Sequence, residues 1–322
     1  MKGTLSQERI ARVALATVYG VNRRRWEALL AAFRTAEEVF AAPITALAAV
    51  SDVRISLAER ILAQRSRWEE IQERAERLAA RGVLFHFPDE ETYPERLRAV
   101  SDAPPLLLTL GDFSVWNGPC VAVVGCREPS EWGRRGADWV AREAAELGWC
   151  VVSGLARGVD QIAHREALEA FHPDGSTLAV LPTPPDNVYP PGSRSLARRI
   201  VQRGCLVSEQ FAGPVRPERL VQRNRIISGL SLGVIVVEAE RGEGSLHTAR
   251  YAVHQRRPVA VWGEFPQDGW PEGNRLLAHH GATVITRENW REWLALLQEE
   301  GADYRPPGLL FHLEEVLPTL SG

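Results

Sequence analysis

An α/β fold with a mostly parallel sheet covered by helices on both faces is predicted for residues 121–300 of this 322-residue chain, behind a small all-helical domain. Three observations carry the prediction. Short runs made almost wholly of Val, Leu, Ile and Ala recur through that region, the composition of strands buried on both faces. Amphipathic stretches of about ten residues separate them, and strands alternating with helices build parallel sheets. From Ser6 to about Ala80, in contrast, apolar residues recur at three- and four-residue spacing without a strand-like run.

The helical part reads Ile10, Val13, Ala14 and Val18, then Trp26, Leu29, Leu30 and Phe33, with a break at Gly20 to Asn22 and punctuation at Pro43 and Ser51-Asp52. Ile61 to Ala80 is charged along one side and predicts one solvated connecting helix. Residues 81–120 change character: VLFHF is a β-type run, and turn-forming residues lead into LLLTL, so this is a linking region with one or two strands. The alternation then runs VAVVG, RGADWVAREAAEL, CVVSG, QIAHREALEA, TLAVL, RSLARRIVQ, LVSE, a helix around Arg223 to Leu230, VIVVEA, LHTARYAVHQ, PVAVWG, ATVIT and ENWREWLALLQEE. The expected divisions are therefore 1–80, 81–120 and 121–300, with 301–322 as a C-terminal tail.

Composition narrows the function. At 45% hydrophobic residues the chain buries a sizeable core, yet no apolar run approaches the roughly 18 residues that a membrane helix needs. The start has no leader pattern, and a cytoplasmic protein without membrane contact is expected. Cys120, Cys126, Cys150 and Cys205 form no CxxC pair and have no nearby histidine cluster, which predicts reduced thiols and no metal site. A net charge of −3 argues against a general nucleic-acid coat, but eight arginines fall between Arg194 and Arg225 against only Glu209 and Glu218. Lys2 is the only lysine, so 37 of the 38 basic residues are arginine, each a planar fork suited to phosphate. GxxxxGK[ST] is absent, no GxSxG forms an elbow after a strand, since the one match, Gly229 to Gly233, precedes the run VIVVEA, and the first strand of the sheet is followed by GCREPS instead of GxGxxG. No catalytic residue and no cofactor are expected.

Ligands of open α/β sheets bind beyond the carboxyl ends of the strands, where strand order reverses. Three strand ends carry glycines that lead into helices: Gly125-Cys126-Arg127, Ser153-Gly154-Leu155-Ala156-Arg157-Gly158-Val159-Asp160, and Arg241-Gly242-Glu243-Gly244-Ser245. Glycine permits close backbone approach, and helix N-termini offer unpaired N–H groups, so the expected ligand is a phosphate. Each element has a plainer reading as well. The glycines serve simple turns, Arg157 is a surface arginine, Asp160 caps a helix with His164 packed behind it, and Ser245 and Thr248 cap and pack another. The ten tryptophans read first as core or surface fill, with Trp132, one turn past Arg127, the one candidate to stack on a base.

These residues, with YPERL, DAPPLLLTLGD, VVGCR, SGLARGVDQIAHREAL, GSTLAVL, VYP, GCLVSE, QRNRIISGLS, VVEAERGEGSLHTARYA and GNRLLAHHGA in that order, resemble the DprA/Smf family of DNA-processing proteins. The resemblance implies a Rossmann-like domain that binds single-stranded DNA in a basic pocket, forms a homodimer, has no catalysis, and loads RecA recombinase during natural transformation. It also implies a SAM-like or helix-hairpin-helix-like N-terminal domain with GVNRRRW in the hairpin position. By resemblance the pocket holds Arg127, the loop Ser153-Gly154 to Arg157-Gly158 and Asp160, and Arg223-Asn224-Arg225, with Gly244-Ser245 and Thr248 at its edge. Where the family usually places a basic residue after VYP, Tyr189 is followed by Pro190-Pro191-Gly192, and Arg194 is the nearest charge. The usual proline-glycine near the end of the sheet is Trp262-Gly263, and the residues from Arg291 onward are too few for the winged helix that many members add.

Two other readings fit the same sheet. One is a LOG-type nucleotide phosphoribohydrolase, whose motif carries a catalytic glutamate where this chain has Thr248. The other is a sensor that binds a small nucleotide and signals through the N-terminal helices.

Overall fold

The computed structural model describes residues 5–172, 176–266 and 269–300; the tail 301–322, and with it the expected absence of a winged helix, lies outside the described residues. The chain forms two compact units, Met1–Thr109 with Glu209–Phe211, and Leu110–Ser208 with Ala212–Gly322.

The first unit holds α1 (Gln7–Ala16), α2 (Arg23–Phe33), α3 (Ala36–Ala41), α4 (Ile44–Ala48), α5 (Ile55–Ala63), α6 (Trp68–Ala80), β1 (Leu84–His86), α7 (Glu95–Arg98) and the first three residues of β2 (Leu107–Gly111). The first three helices start where side chains accept orphan amides: Ser6 from Arg9, Asn22 from Arg25 and Thr35 from Glu38. Ile10, Val13, Ala14, Trp26 and Leu29 form the buried stripe that their spacing predicts. The single helix expected over Ile61 to Ala80 is two helices joined by a 3₁₀ turn at Gln64–Arg67. There Ser66 Oγ donates to the Ala63 carbonyl at 2.8 Å, taking over a carbonyl at the break, while the Arg65 guanidinium donates to the Phe40 carbonyl in α3. Nor is α6 wholly solvated, since Ile71, Ala75 and Leu78 are buried. β1 and β2 pair antiparallel, with His86 Nε2 2.8 Å from Thr109 Oγ1.

The second unit continues with β3 (Cys120–Val124), α8 (Glu131–Glu146), β4 (Cys150–Ser153), α9 (Val159–Glu169), β5 (Ser176–Val180), α10 (Arg194–Arg203), β6 (Cys205–Ser208), α11 (Pro217–Gln222), α12 (Asn224–Leu230), β7 (Gly233–Val236), α13 (Gly244–His254), β8 (Val259–Trp262), α14 (Glu272–His279), β9 (Thr283–Ile285) and α15 (Trp290–Glu300). The helix expected around Arg223 to Leu230 is thus α12, preceded by the separate short α11. Its strands run β6-β5-β4-β3-β7-β8-β9, every pair parallel. This is the expected Rossmann-like α/β fold.

The continuous apolar runs are explained by burial from both sides. Val121, Val123 and Val151 pack with Ala137, Val140 and Ala141 of α8 and Ala163 and Ala167 of α9, and Trp262, Trp290 and Trp293 close the cluster. A second cluster sets Ala197 and Ile200 of α10 against Ala179, Leu181 and Leu206. All four cysteines are buried and unbridged. Among the described residues no helix is long and apolar enough to cross a membrane.

Candidate nucleic-acid interface

The chain winds from β3 through β4 and β5 to β6, then returns to place β7 on the other side of β3. Strand order reverses at β3, so a crevice opens beyond the carboxyl ends of β3, β4 and β7. Two hollows lie there, of about 380 and 390 Å³, and Arg127 lines both.

Their shared wall is a backbone contact. Val159 N–H donates to the Cys126 carbonyl at 3.1 Å, and Cys126 N–H donates to the Glu238 carbonyl at 2.8 Å. Gly158 precedes α9 with φ +87°, and a Cβ there would strike the Cys126 carbonyl oxygen and lie 2.6 Å from the Arg127 carbonyl carbon. Only glycine suits that conformation in that space. At Gly125 a Cβ would lie 2.6 Å from Val159 Cγ2 and 3.0 Å from the Glu238 carbonyl oxygen, so the loop after β3 is equally tight. Arg127 emerges from it exposed to solvent.

The first hollow is lined by Gly125, Cys126, Arg127, Asp160, Arg223 and Asn224, and by Glu243, Gly244, Ser245 and Thr248 at the start of α13. Arg223 is buried: its guanidinium donates to the Gly154 carbonyl, to the Val180 carbonyl at 2.5 Å and to Asn224 Oδ1 at 3.0 Å, with Asp160 Oδ2 3.8 Å away. A side chain at Gly154 would occupy the space of that guanidinium. Burial pulls the Arg223 guanidinium down and pushes the Asp160 carboxyl up, against the attraction each exerts on the other. Asp160 also accepts from Ala156 N–H at 3.1 Å, closing the loop as a helix-capping residue does. Asn224 Nδ2 donates to the Gly244 carbonyl at 3.1 Å, which ties α12 to α13. The Ser245 hydroxyl is buried without a hydrogen-bond partner. Burial pushes the Cys126 thiol up to about 12, with Glu238 and Glu243 adding to it, so it is no nucleophile at neutral pH.

The second hollow is lined by Arg127, Glu128, Arg134, Arg157, Gly158, Gln161, Ile162 and Arg165. Arg157 pairs with Glu128. Of the other residues expected at the site, Ser153 is buried with its hydroxyl donating to the Val123 carbonyl at 2.7 Å, and Gly154 is buried beside Arg223. Tyr189 and Arg225 are half-buried, Arg194 is exposed, and none of the three lines either hollow. The arginine-rich segment 194–225 is not one surface. Arg203 donates to the Leu168 and Ala170 carbonyls, Arg219 to those of Ala212 and Pro214, Arg199 pairs with Glu169, and Arg223 is internal. Trp132 is exposed with Arg135 over its ring at 5.5 Å, and it lines neither hollow.

Sequence reasoning missed Arg134, Arg165 and Glu238. The Glu238 carboxylate accepts from Ser130 N–H at 3.1 Å and from its hydroxyl at 2.9 Å, while Ser130 Oγ accepts from Gly133 N–H. It thus holds the first turn of α8 against the end of β7. A glutamate ending an apolar strand run, with a serine cap elsewhere in the chain, was the available signal.

His164 packs behind this loop, Nδ1 2.7 Å from Thr177 Oγ1, and burial pulls its pKa down to about 3, with Arg223 adding to the effect. A histidine held neutral in the fold but free to protonate near 6.5 when unfolded contributes stability above that pH and loses it as pH falls toward 3. The loss is about 1.4 kcal/mol per pH unit. Asp160 contributes with the opposite sign, so the measurement is a difference. In denaturant melts the gap in stability between the wild type and His164→Asn should narrow as pH drops from 6.5 to 5; a constant gap would show that His164 does not titrate in this way.

A family model described as DNA recombination-mediator protein A matches residues 84–294. Protein Smf of Synechocystis is 35% identical over 283 residues, covering 86% of this chain and 70% of that protein. Two other curated relatives are matched over 53% and 65% of their length. The X-ray structure of DNA processing protein A from Streptococcus pneumoniae superposes with a TM-score of 0.73 at 26% identity, covering 90% of this chain and 98% of that one. A Helicobacter pylori structure of DNA processing protein A, described as giving insight into its single-stranded DNA binding mode, superposes with a TM-score of 0.58 at 28% identity, covering 69% of this chain and 97% of that one. With its strand order, glycine turns and matched length in agreement, the chain belongs to the DNA recombination-mediator protein A family, known also as DprA/Smf.

Proposed function

We propose that the chain binds single-stranded DNA through its phosphates in the crevice beyond β3, β4 and β7, protects it and passes it to RecA recombinase during natural transformation or recombination. On this reading it works in the cytoplasm as a homodimer formed through the α/β unit. One observation carries the binding site: Gly125, Arg127, Gly158, Gly244 and Ser245, from three separate strand ends, converge on two adjoining hollows with Arg127 between them. The H. pylori relative, described by its single-stranded DNA binding mode, supports the same ligand class. Arg127 and Arg157 meet phosphate, and Ser245 offers a hydroxyl at the start of α13, where amides and the helix dipole favour an anion. Ser153, Gly154, Asp160, Arg223 and Asn224 shape the loops, and Thr248 packs beneath them. Tyr189, Arg194 and Arg225 would meet a strand only outside the hollows. Catalysis has no candidate group: Cys126 is held as thiol, Asp160 is engaged by Arg223, and Thr248 stands where the LOG-type glutamate would fall.

Titration of a labelled oligonucleotide, single-stranded against duplex, tests the reading. Single strands should bind more tightly with little dependence on base identity. The logarithm of affinity should fall with the logarithm of salt by about 0.7 for each phosphate held. Arg127→Ala should weaken all sequences alike and reduce that slope by about 0.7. Unchanged binding by a folded Arg127→Ala protein would remove the site assignment.

A further inference from the structure

Resting on that binding reading, we infer that the second hollow is a separate subsite for backbone phosphates of the same strand, with Arg134 and Arg165 as its own cations. The two hollows differ in charge. In the first, Arg127 and Arg223 face Asp160 and Glu243, and Val124, Leu220, Val221 and Ile227 give it an apolar wall. In the second, four guanidinium groups face the single carboxylate of Glu128, which is engaged by Arg157. Arg127, Arg134 and Arg165 have no ion-pair partner among the described residues. Like charges gathered without counter-charge repel one another, and a bound anion relieves that cost.

The hollow is also held in shape. Gln161 Nε2 donates to Ser193 Oγ at 2.8 Å, and Ser193 Oγ donates to the Leu155 carbonyl at 3.3 Å, so its floor is fixed from two loops. Arg165 stands one turn beyond Gln161 on α9, and Arg134 stands in the first turn of α8. Gly158 at the start of α9 lines the hollow, so the N-terminal end of that helix adds to the positive field. Because Arg127 borders both hollows, a strand seated in the first continues into the second past the same guanidinium.

Arg134 and Arg165 are exposed helical positions, so Arg134→Ala/Arg165→Ala should fold as the wild type does. With an unmodified single-stranded oligonucleotide the double variant should bind more weakly and its salt slope should be smaller by about 1.4, so its deficit shrinks about sevenfold between roughly 50 and 200 mM salt. With an oligonucleotide whose linkages are uncharged methylphosphonates the two proteins should bind alike. If the wild type binds the charged strand and the double variant matches it in affinity and slope, the subsite is refuted while the crevice reading stands. If the variant is equally impaired on the uncharged strand, the arginines act on something other than phosphate and the inference also falls. Failure of the wild type to bind either strand would instead overturn the proposed function.

Discussion

Arg223→Ala should cost the α/β unit about 3–5 kcal/mol, the range for removing one partner of a buried charge pair. Arg223 is 6% exposed, and its guanidinium joins the ends of β4 and β5, through the Gly154 and Val180 carbonyls, to Asn224 on α12 and to Asp160 on α9. Alanine leaves two carbonyls short of a donor and the Asp160 carboxylate buried without its cation, while opening a void the size of a guanidinium. Lysine cannot repair this, because one ammonium lacks the fork that reaches separate acceptors. Equilibrium denaturation measures the loss, and adding Asp160→Asn to Arg223→Ala should restore part of it. A loss below about 1 kcal/mol would show that the internal clamp does not support the domain.

Gly158→Ala should sharply weaken ligand binding through the backbone of the Arg127 loop. The left-handed conformation of residue 158 carries a strain of about 1–3 kcal/mol for a residue with a Cβ. That Cβ also meets the Cys126 carbonyl and the Arg127 backbone, so the wall shared by both hollows must move. Oligonucleotide affinity should drop by at least tenfold. Gly242→Ala is the matched control: Gly242 has φ +85°, yet nothing lies within 4 Å of the position a Cβ would take. The control should show conformational strain in a melt but far less loss of binding. Equal losses at the two glycines would mean that crowding of the Arg127 loop is unimportant.

The nine strands were legible as short apolar runs bounded by turn residues, although Leu84 of β1 and Thr283 and Val284 of β9 are exposed. The three glycine loops were legible too, because three of them fall at strand ends of one sheet, although each alone also serves a plain turn. The destinations of the arginines were not. Arg223 and Arg225 look alike in sequence, yet the first is internal and the second half-buried away from the hollows, and only folded neighbours decide between them. Arg134 and Arg165 sit on amphipathic helices in a chain with 37 arginines, where a solvated face and a ligand-facing one have the same periodicity. The local surplus counted over residues 194–225 dispersed for the same reason: helical residues a few positions apart face different surroundings. The 3₁₀ turn at Gln64–Arg67 escaped because no glycine or proline announces it.

The pairing of β3 with β7, from Val121 with Gly233 to Val124 with Val236, joins positions more than a hundred residues apart. The first hollow, which takes Gly244 and Ser245 from beyond β7 into its wall, is therefore incomplete in a nascent polypeptide that ends before β7, whereas the second, lined from Arg127 to Arg165, needs no residue beyond it. During synthesis the first half-sheet, β3 to β6, is made early with its carboxyl edge unfinished, and the closure of so long a loop delays the remainder. On the proposed reading, completion of the first hollow thus follows the docking of β7, which brings the start of α13 to it.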